Sequence, residues 1–347
     1  MLVKENEYIL TSAGYVDESK VSKNSLIFTG ESYQKPINIK TYLRSYYEIR
    51  SKFEYLYIPF DSKLILSKKA TDYSDTRYMY NSILDLNEHD YIIKFKPKKY
   101  TDSNVTKLNI KTYLINNYDY QVAFTRESIL YKVLYKPVDP EIFDTTLLEH
   151  NCNSIEELSA KLLKENCVKY PTNYLTIDTE FLDVVFEIIT NNYKIQDKSI
   201  TFFNKNVLSY FEKLGYNIKI TSQNFTLTSS LFYTLIKNNF FNYNWIKNLN
   251  TKLNNYLFDK FKDLEFKFFD CQSEEIFQNF KLFFELNSLL VIKEKTEYNL
   301  ILNYDTQDYF ILIDNLFYIP ITEIIIFNKK INFNKFILQD EEIQLDY

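Results

Sequence analysis

Glycine is nearly absent from this chain, which has three glycines among its 347 residues, and these three are far apart. P-loop and dinucleotide-binding folds need several neighbouring glycines, because their backbone amides must approach a phosphate closely. The sequence therefore excludes those nucleotide-binding folds. Turns must use asparagine, the next most tolerant residue at positive φ, and we predict turns at Asn116-Asn117 and Asn191-Asn192.

The composition is that of a globular protein. Hydrophobic residues make up 46% and charged residues 25% of the chain, and the net charge is −5. The length predicts two or three domains. Three cysteines cannot form a disulfide scaffold, which indicates a reducing compartment. No apolar run is long enough for a membrane span and the start lacks a signal-peptide core, so we expect a cytoplasmic or virion protein without a membrane partner.

Scarce Gly, Ala, Arg and Pro, with abundant Asn, Lys, Ile, Tyr and Phe, indicate a very AT-rich genome. The scarce residues have GC-rich codons, and such a bias is typical of some viruses, phages, linear plasmids and organelles. Aromatic residues are expected mainly as core and sheet filler, because they pack well on pleated surfaces.

The predicted fold class is α+β, in three parts. Residues 1–137 alternate short β-rich runs with polar turns, which predicts an antiparallel β domain. Pro137 and Pro140 mark a boundary. Residues 138–288 predict a helix-rich α/β domain, and residues 289–347 a C-terminal β meander packed on it, with a hairpin turn at 328–330.

Three helices predicted in the middle part are tested below. They are Leu227–Asn239, Trp245–Asp263 and Ser273–Leu286. The phenylalanines of the third helix fall at helical spacing, which predicts a core face, or a partner-binding face if it is left exposed.

The six residues 38–43, Asn-Ile-Lys-Thr-Tyr-Leu, recur unchanged at 109–114. We interpret this as a tandem duplication of a small β module, covering about 25–60 and 92–136. A chance match within a biased composition is the alternative. The repeated residues alternate as in a strand, with Ile39 and Leu43 on one face and Lys40 on the other.

Histidine and cysteine patterns argue against a conventional reaction centre. His89 lies in a polar turn and His150 ends a predicted helix, which favours exposed or capping roles. Cys152, Cys167 and Cys271 show no C-x-x-C spacing. We therefore expect no zinc site, no catalytic triad and no bound cofactor.

One acidic set requires a separate hypothesis. It comprises Asp178-Thr-Glu180, Asn255 to Asp259, and Tyr304 to Asp308. In order and rough spacing these segments resemble the motifs of the DEDD proofreading exonucleases. The resemblance implies that Asp178, Glu180, Asp259 and Asp308 bind two Mg²⁺ or Mn²⁺ ions and that Tyr304 orients the water. The alternative is a set of solvated turns, because Tyr304 to Asp308 is predicted as a hairpin tip rather than a helix.

Two shorter patterns point to nucleic acid. Glu265-Phe-Lys267 resembles half of a restriction-type nuclease motif, and an ordinary alternating strand is the alternative. Lys94, Lys96, Lys98 and Lys99 alternate with aromatic residues, as in a strand that follows a phosphate backbone. The alternative is a solvated edge strand, because the whole protein is acidic.

These observations lead to three functional hypotheses. The first is a non-enzymatic structural or assembly protein of an AT-rich virus, phage or related element, acting through protein partners or self-assembly. The second is a metal-dependent 3′-5′ exonuclease. The third is an accessory subunit in nucleic-acid processing.

Overall fold

A computed structural model describes most of the chain, which forms two compact units. The described residues are 2–30, 32–60, 62–67, 79–82, 90–100, 104–109, 120–124, 129–133, 168–170, 174–196, 199–214, 218–228, 231–237, 241–264, 268–271, 273–293, 299–302, 311–313 and 315–338. Unit 1 comprises 1–103, 242–248 and 258–347, and unit 2 comprises 104–241 and 249–257. The linear division at residues 137 and 288 stays a prediction.

Strands dominate the described residues. In chain order they are β1 Leu2–Lys4, β2 Tyr8–Thr11, β3 Gly14–Asp17, β4 Ile27–Phe28, β5 Tyr33–Gln34, β6 Pro36–Arg50, β7 Tyr55–Pro59, β8 Lys63–Ser67, β9 Met79–Ser82, β10 Tyr91–Phe95, β11 Lys107–Asn109, β12 Tyr120–Phe124, β13 Ile129–Val133, β14 Val168–Tyr170, β15 Tyr174–Thr176, β16 Tyr193–Gln196, β17 Ser199–Phe202, β18 Ile218–Ile220, β19 Phe225–Thr228, β20 Phe268–Asp270, β21 Val291–Lys293, β22 Asn299–Leu302, β23 Ile311–Ile313, β24 Leu316–Pro320 and β25 Glu323–Leu338.

The described helices confirm a mixed α+β fold. They are α1 Thr179–Ile189, α2 Leu208–Lys213, α3 Leu231–Lys237, α4 Thr251–Lys262 and α5 Glu274–Leu286. No helix among the described residues is long and apolar enough to cross a membrane.

The described residues of unit 1 form four antiparallel sheets. Their strand orders are β1-β25-β6-β7, β23-β24-β10-β8-β9, β3-β2-β4-β5 and β20-β22-β21. One core cluster of this unit joins Tyr47 and Ile49 of β6 to Ile92 of β10 and to Phe317 and Ile319 of β24. A second cluster joins Phe336 of β25 to strands at the start of the chain.

The C-terminal strands pair with N-terminal strands. β25 pairs along almost the whole of β6 and also with β1, and β24 pairs with β10. β21 pairs with β22 and β23 pairs with β24, as in a meander, but the predicted meander did not include pairing of β24 and β25 with N-terminal strands. Hydrophobic alternation predicts a strand but carries no information about its partner.

The predicted hairpin turn at 328–330 is wrong. β25 continues through these residues, and the register with β6 shifts between Phe327 and Ile331. A bulge absorbs the polar Asn-Lys-Lys segment, because extra residues can leave the ladder without ending the strand.

Unit 2 has an aromatic core between a four-stranded sheet and helices. The sheet order is β16-β17-β19-β18. Phe202 and Phe225 lie in adjacent strands with ring centroids 5.5 Å apart, and Phe211 of α2 packs on both at 5.2 and 5.8 Å. Abundant phenylalanine therefore serves as core filler here, as the composition predicts.

Helix boundaries follow local capping. Ser273 accepts a hydrogen bond from the backbone N–H of Ile276 at 3.2 Å and begins α5 as predicted. Four phenylalanines of that helix are buried, which confirms the predicted core face; they are Phe277, Phe280, Phe283 and Phe284. The helix predicted at Leu227–Asn239 is shorter, because the alternating residues of β19 join the sheet. The helix predicted at Trp245–Asp263 begins later, at Thr251, because Ile246–Asn248 form a separate 3-10 turn.

Asparagine does take positions with positive φ. Asn6, Asn191 and Asn315 have φ values of 64°, 53° and 66°. Asn191 follows α1, which confirms the predicted turn there. Asn116-Asn117 lies outside the described residues.

The duplication stays a prediction. The first copy, 38–43, lies in β6 and alternates between faces as expected. In the second copy only Asn109, at the end of β11, is described.

Candidate functional site

The long pairing of β6 with β25 forms the most distinctive surface of unit 1. We call the paired segments 38–45 and 326–335 the ribbon. On one side of the ribbon, Ile39 and Tyr47 mark what we call the core face, because both pack into core clusters. Lys40 and Arg44 mark the opposite side, which we call the outer face.

The core face of the ribbon presents exposed apolar side chains among polar ones at its ladder-paired positions. Leu43 is 55% exposed and Ile326 is 62% exposed. Ile326 lies opposite Tyr47 in the ladder, so both residues share the face of Leu43. The Phe60 ring lies 4.4 Å from the Tyr47 ring and is itself 39% exposed. We call Leu43, Phe60 and Ile326 the apolar patch.

The outer face of the ribbon is basic and aromatic. Lys40 lies directly opposite Lys335 in the ladder, and the partly exposed Tyr42 lies opposite Phe333, which is buried. The Arg44 guanidinium lies 5.1 Å from the centroid of the Tyr42 ring. The ribbon contains five basic residues, Lys40, Arg44, Lys329, Lys330 and Lys335, and no acidic residue.

A second feature of unit 1 is a cavity of about 1260 Å³ beside a cluster of partly buried charges. Lys94 Nζ lies 3.1 Å from Glu54 Oε2 and 3.0 Å from Glu285 Oε1. Tyr15 donates a 2.6 Å hydrogen bond to Glu285 Oε2. Lys281 Nζ lies 3.8 Å from Glu54 Oε2, so the two lysines share one carboxylate oxygen. We call these five side chains the charged cluster.

Local structure explains how the charged cluster assembles. Lys281 and Glu285 are four residues apart in α5 and therefore share a helix face. Glu54 follows a turn in which the Ser51 hydroxyl accepts hydrogen bonds from the backbone N–H groups of Phe53 and Glu54, at 3.1 and 3.0 Å. Every carboxylate of the cluster has a cationic neighbour, as partly buried charges require.

Burial and charge shift the pKa values within this cluster. Burial alone would lower the pKa of Lys94, but the charges of Glu285 and Glu54 raise it well above its usual value. Burial opposes the ionisation of Glu54, yet Lys94 and Lys281 hold its pKa below the usual value. Burial and the charge of Glu285 raise the pKa of Tyr15. Burial and the neighbouring Lys94 lower the pKa of Lys281.

These shifts predict a loss of stability in acid. Glu54 has a lowered pKa in the folded state, so its contribution is present above its unfolded pKa of about 4.3 and is lost as the pH falls through the folded value. We expect the free energy of unfolding, measured by urea titration of Trp245 fluorescence, to fall more steeply in acid for the wild type than for Glu54→Gln. Equal slopes for the two proteins would contradict this role of Glu54.

The predicted basic strand lies in the interior of a sheet. β10 lies inside its sheet, so the edge-strand interpretation is wrong. Lys94 belongs to the charged cluster, and Lys96 Nζ donates a 2.6 Å hydrogen bond to Ser288. Lys98 and Lys99 are exposed.

The acidic residues of the exonuclease hypothesis have the following local positions. Asp178 begins α1, where its Oδ1 accepts a 2.8 Å hydrogen bond from the backbone N–H of Phe181. Glu180 forms an ion pair with Lys213. Asp259 lies in α4, 3.5 Å from Lys262. Tyr304 and Asp308 lie outside the described residues.

Within the described part of the chain, no group of three or more His, Cys, Asp or Glu side chains could hold a metal ion. Cys271 is buried. The remaining candidates lie outside the described residues; they are His89, His150, Cys152, Cys167 and the segment Glu265 to Lys267.

Sequence patterns missed the ribbon because its properties depend on pairing. Lys40 and Lys335 are far apart in the chain, and only the ladder places them together. The available signal was weak: Lys40 and Arg44 fall on the same side of a predicted strand.

Comparison with known proteins gives no relative: no protein-family model matches the chain, and no curated protein matches it. The function is therefore inferred from the geometry of the chain itself.

Proposed function

We propose that this protein is a non-enzymatic structural or assembly component of an AT-rich virus, phage or related genetic element, and that it acts through protein–protein contacts in the cytoplasm or the particle. The apolar patch is the observation that supports this proposal. Large apolar side chains that are exposed on one sheet face are typical of interaction surfaces, because leaving them in water is unfavourable.

The patch lies on a sheet face whose ladder-paired positions carry no charge in the ribbon. Between Ile39 and Tyr47, the core face of β6 presents only Thr41, Leu43 and Ser45. Opposite these residues β25 presents asparagine side chains and Ile326. An uncharged face can be buried without the desolvation cost that lysine or glutamate would impose.

These features favour a second copy of the chain as the partner. Two uncharged faces can approach each other without like-charge repulsion, while the ribbon's ladder-paired cations, Lys40, Arg44 and Lys335, remain on the outer face. A two-fold contact would place the same patch of both copies together, with Leu43 of one copy near Ile326 of the other. We therefore propose self-association through the apolar patch.

Charge introduced into the patch should abolish self-association. We expect the wild-type protein to sediment as a dimer or larger assembly at about 100 µM, and the double variant Leu43→Asp/Ile326→Asp to sediment as a monomer. The physical reason is that a carboxylate loses hydration in the contact and finds no cation there. Analytical ultracentrifugation measures the change directly.

The matched control is Ile220→Asp, because Ile220 is 53% exposed in a different sheet. This variant should associate like the wild type. A monomeric wild type at that concentration, or a double variant that still associates, would overturn the proposed self-association. Circular dichroism of the double variant establishes whether the monomer is folded.

The proposed lack of enzymatic activity is tested separately. We expect no degradation of single-stranded DNA or RNA in Mg²⁺ or Mn²⁺. Degradation that Asp178→Asn abolishes would contradict the proposal. Asparagine is the suitable replacement, because it keeps the helix-capping acceptor of Asp178 and removes the charge needed for a metal ligand.

A further inference from the structure

We propose that the outer face of the ribbon binds the phosphate backbone of nucleic acid. The observation that carries this inference is the cationic pair Lys40 and Lys335, which lie directly opposite each other in the ladder. Like charges at directly opposed positions destabilise a sheet unless an anion lies between or above them. The described chain supplies no such anion.

Four of the five ribbon cations form no ion pair within the described part of the chain. Lys40, Lys329, Lys330 and Lys335 contact no carboxylate among the described residues, and the ribbon itself has no acidic residue. The carboxylates nearest in the ladder, Glu48 and Glu323, are held by Arg50 at the far end of β6, both at 2.6 Å. The ribbon is thus a basic surface on a protein whose net charge is −5.

Local charge decides binding to a polyanion more than net charge does. Screening limits interactions between exposed charges to about 8 to 10 Å at physiological salt. Carboxylates elsewhere in the molecule therefore do little to oppose a phosphate placed over Lys40 and Lys335. Nucleic acid carries regularly spaced phosphates that can meet several cations at once.

The aromatic residues of the outer face distinguish nucleic acid from other polyanions. Tyr42 lies between Lys40 and Arg44 on the same side of β6 and is partly exposed. The Arg44 guanidinium already lies over the Tyr42 ring. Flat rings between cations are the arrangement by which single-stranded nucleic acid is bound, with the bases stacked and the phosphates paired. A two-stranded ribbon also fits the major groove of a duplex.

The contact should be strongly salt-dependent. Four phosphate contacts predict a fall in affinity of about a hundredfold between about 50 mM and about 200 mM salt. We expect fluorescence anisotropy with a labelled 20-nucleotide oligothymidine, and with a mixed-sequence duplex of the same length, to show this dependence. Tighter binding of the single strand would identify stacking on Tyr42, and tighter binding of the duplex would identify groove insertion; both results support the proposal.

The decisive variant is Lys40→Gln/Lys335→Gln. It should weaken binding and reduce the slope of log affinity against log salt by about one for each lysine. The matched control is Lys194→Gln/Lys219→Gln, which removes the same charge from exposed lysines of β16 and β18 in unit 2. The control should bind like the wild type, because only the ribbon contacts phosphate.

Three results would overturn the proposal. They are an absence of salt-dependent binding to either oligonucleotide, equal binding by the ribbon variant and its control, and displacement of the oligonucleotide by poly-L-glutamate at equal charge concentration. The last result would indicate an acidic protein as the partner. These measurements are independent of self-association, because the apolar patch lies on the core face and Leu43→Asp/Ile326→Asp retains every ribbon lysine.

Discussion

Replacing Lys94 with methionine is expected to lower the free energy of unfolding of unit 1 by about 3 kcal/mol. The substitution keeps most of the side-chain volume and removes the charge that lies between Glu54 and Glu285. Glu285 is 0% exposed, so its carboxylate would remain buried without a cation at hydrogen-bonding distance. An uncompensated buried charge costs far more than the loss of a surface ion pair.

The experiment uses urea unfolding followed by the fluorescence of Trp245, the single tryptophan, which lies in unit 1. Lys98→Met is the control, because Lys98 is exposed a few residues farther along the same segment. It should change the free energy of unfolding by less than about 0.5 kcal/mol. Lys94→Met/Glu285→Gln should recover part of the loss, since glutamine removes the orphaned charge and still accepts a hydrogen bond from Tyr15.

A loss of less than about 1 kcal/mol for Lys94→Met would show that the ion pairs contribute little net stability. A double variant less stable than Lys94→Met would contradict the explanation by an orphaned carboxylate. Either result would show that the charged cluster does not stabilise unit 1 in the way described.

Replacing Phe211 with alanine is expected to destabilise unit 2 by about 3 to 5 kcal/mol. Phe211 is 0% exposed, and its ring lies 5.1 Å from the Phe232 ring and 5.2 Å from the Phe202 ring. Its removal leaves a cavity bounded by rigid rings from a helix and two strands. Such a cavity cannot collapse easily. The free energy lost by no longer burying the ring and the cost of the remaining cavity therefore add.

Peptide-resolved hydrogen exchange across β17, α2 and β19 would measure this loss within unit 2. Phe211→Leu should cost less, because it retains much of the apolar volume. Phe203→Ala is the control, since Phe203 is 48% exposed next to the same sheet. Unchanged protection in Phe211→Ala would mean that the aromatic cluster is not the core of this unit.

Local sequence determined the elements whose signals are contained in a few neighbouring residues. Ser273 and the spacing of the following phenylalanines specify α5 and its buried face. Lys63–Ser67 and Tyr120–Phe124 form short strands within the region predicted to alternate β-rich runs with turns. Asn191 replaces glycine at a helix end, because asparagine tolerates positive φ better than most residues. The scarcity of glycine was therefore informative about turns as well as about excluded folds.

Tertiary structure alone decided which of these elements meet. The alternation of β6 and β25 predicts strands with two faces, but pairing between the two ends of the chain has no local signal. That pairing places Lys40 opposite Lys335 and leaves Leu43 and Ile326 exposed on the other side. In the same pairing, a bulge in β25 takes the place of the hairpin turn predicted at 328–330.

The charged cluster shows the same division between local and distant information. Lys94 was recognisable from sequence only as one of several lysines in an aromatic strand. Its ion pairs bring together β10, α5 and the turn before β7. What the sequence determined by itself is the set of strands, caps and turns, because propensity and hydrogen bonding there involve adjacent residues. What only the tertiary structure decided is which charges are compensated and which surfaces remain uncovered, because burial depends on partners hundreds of residues away.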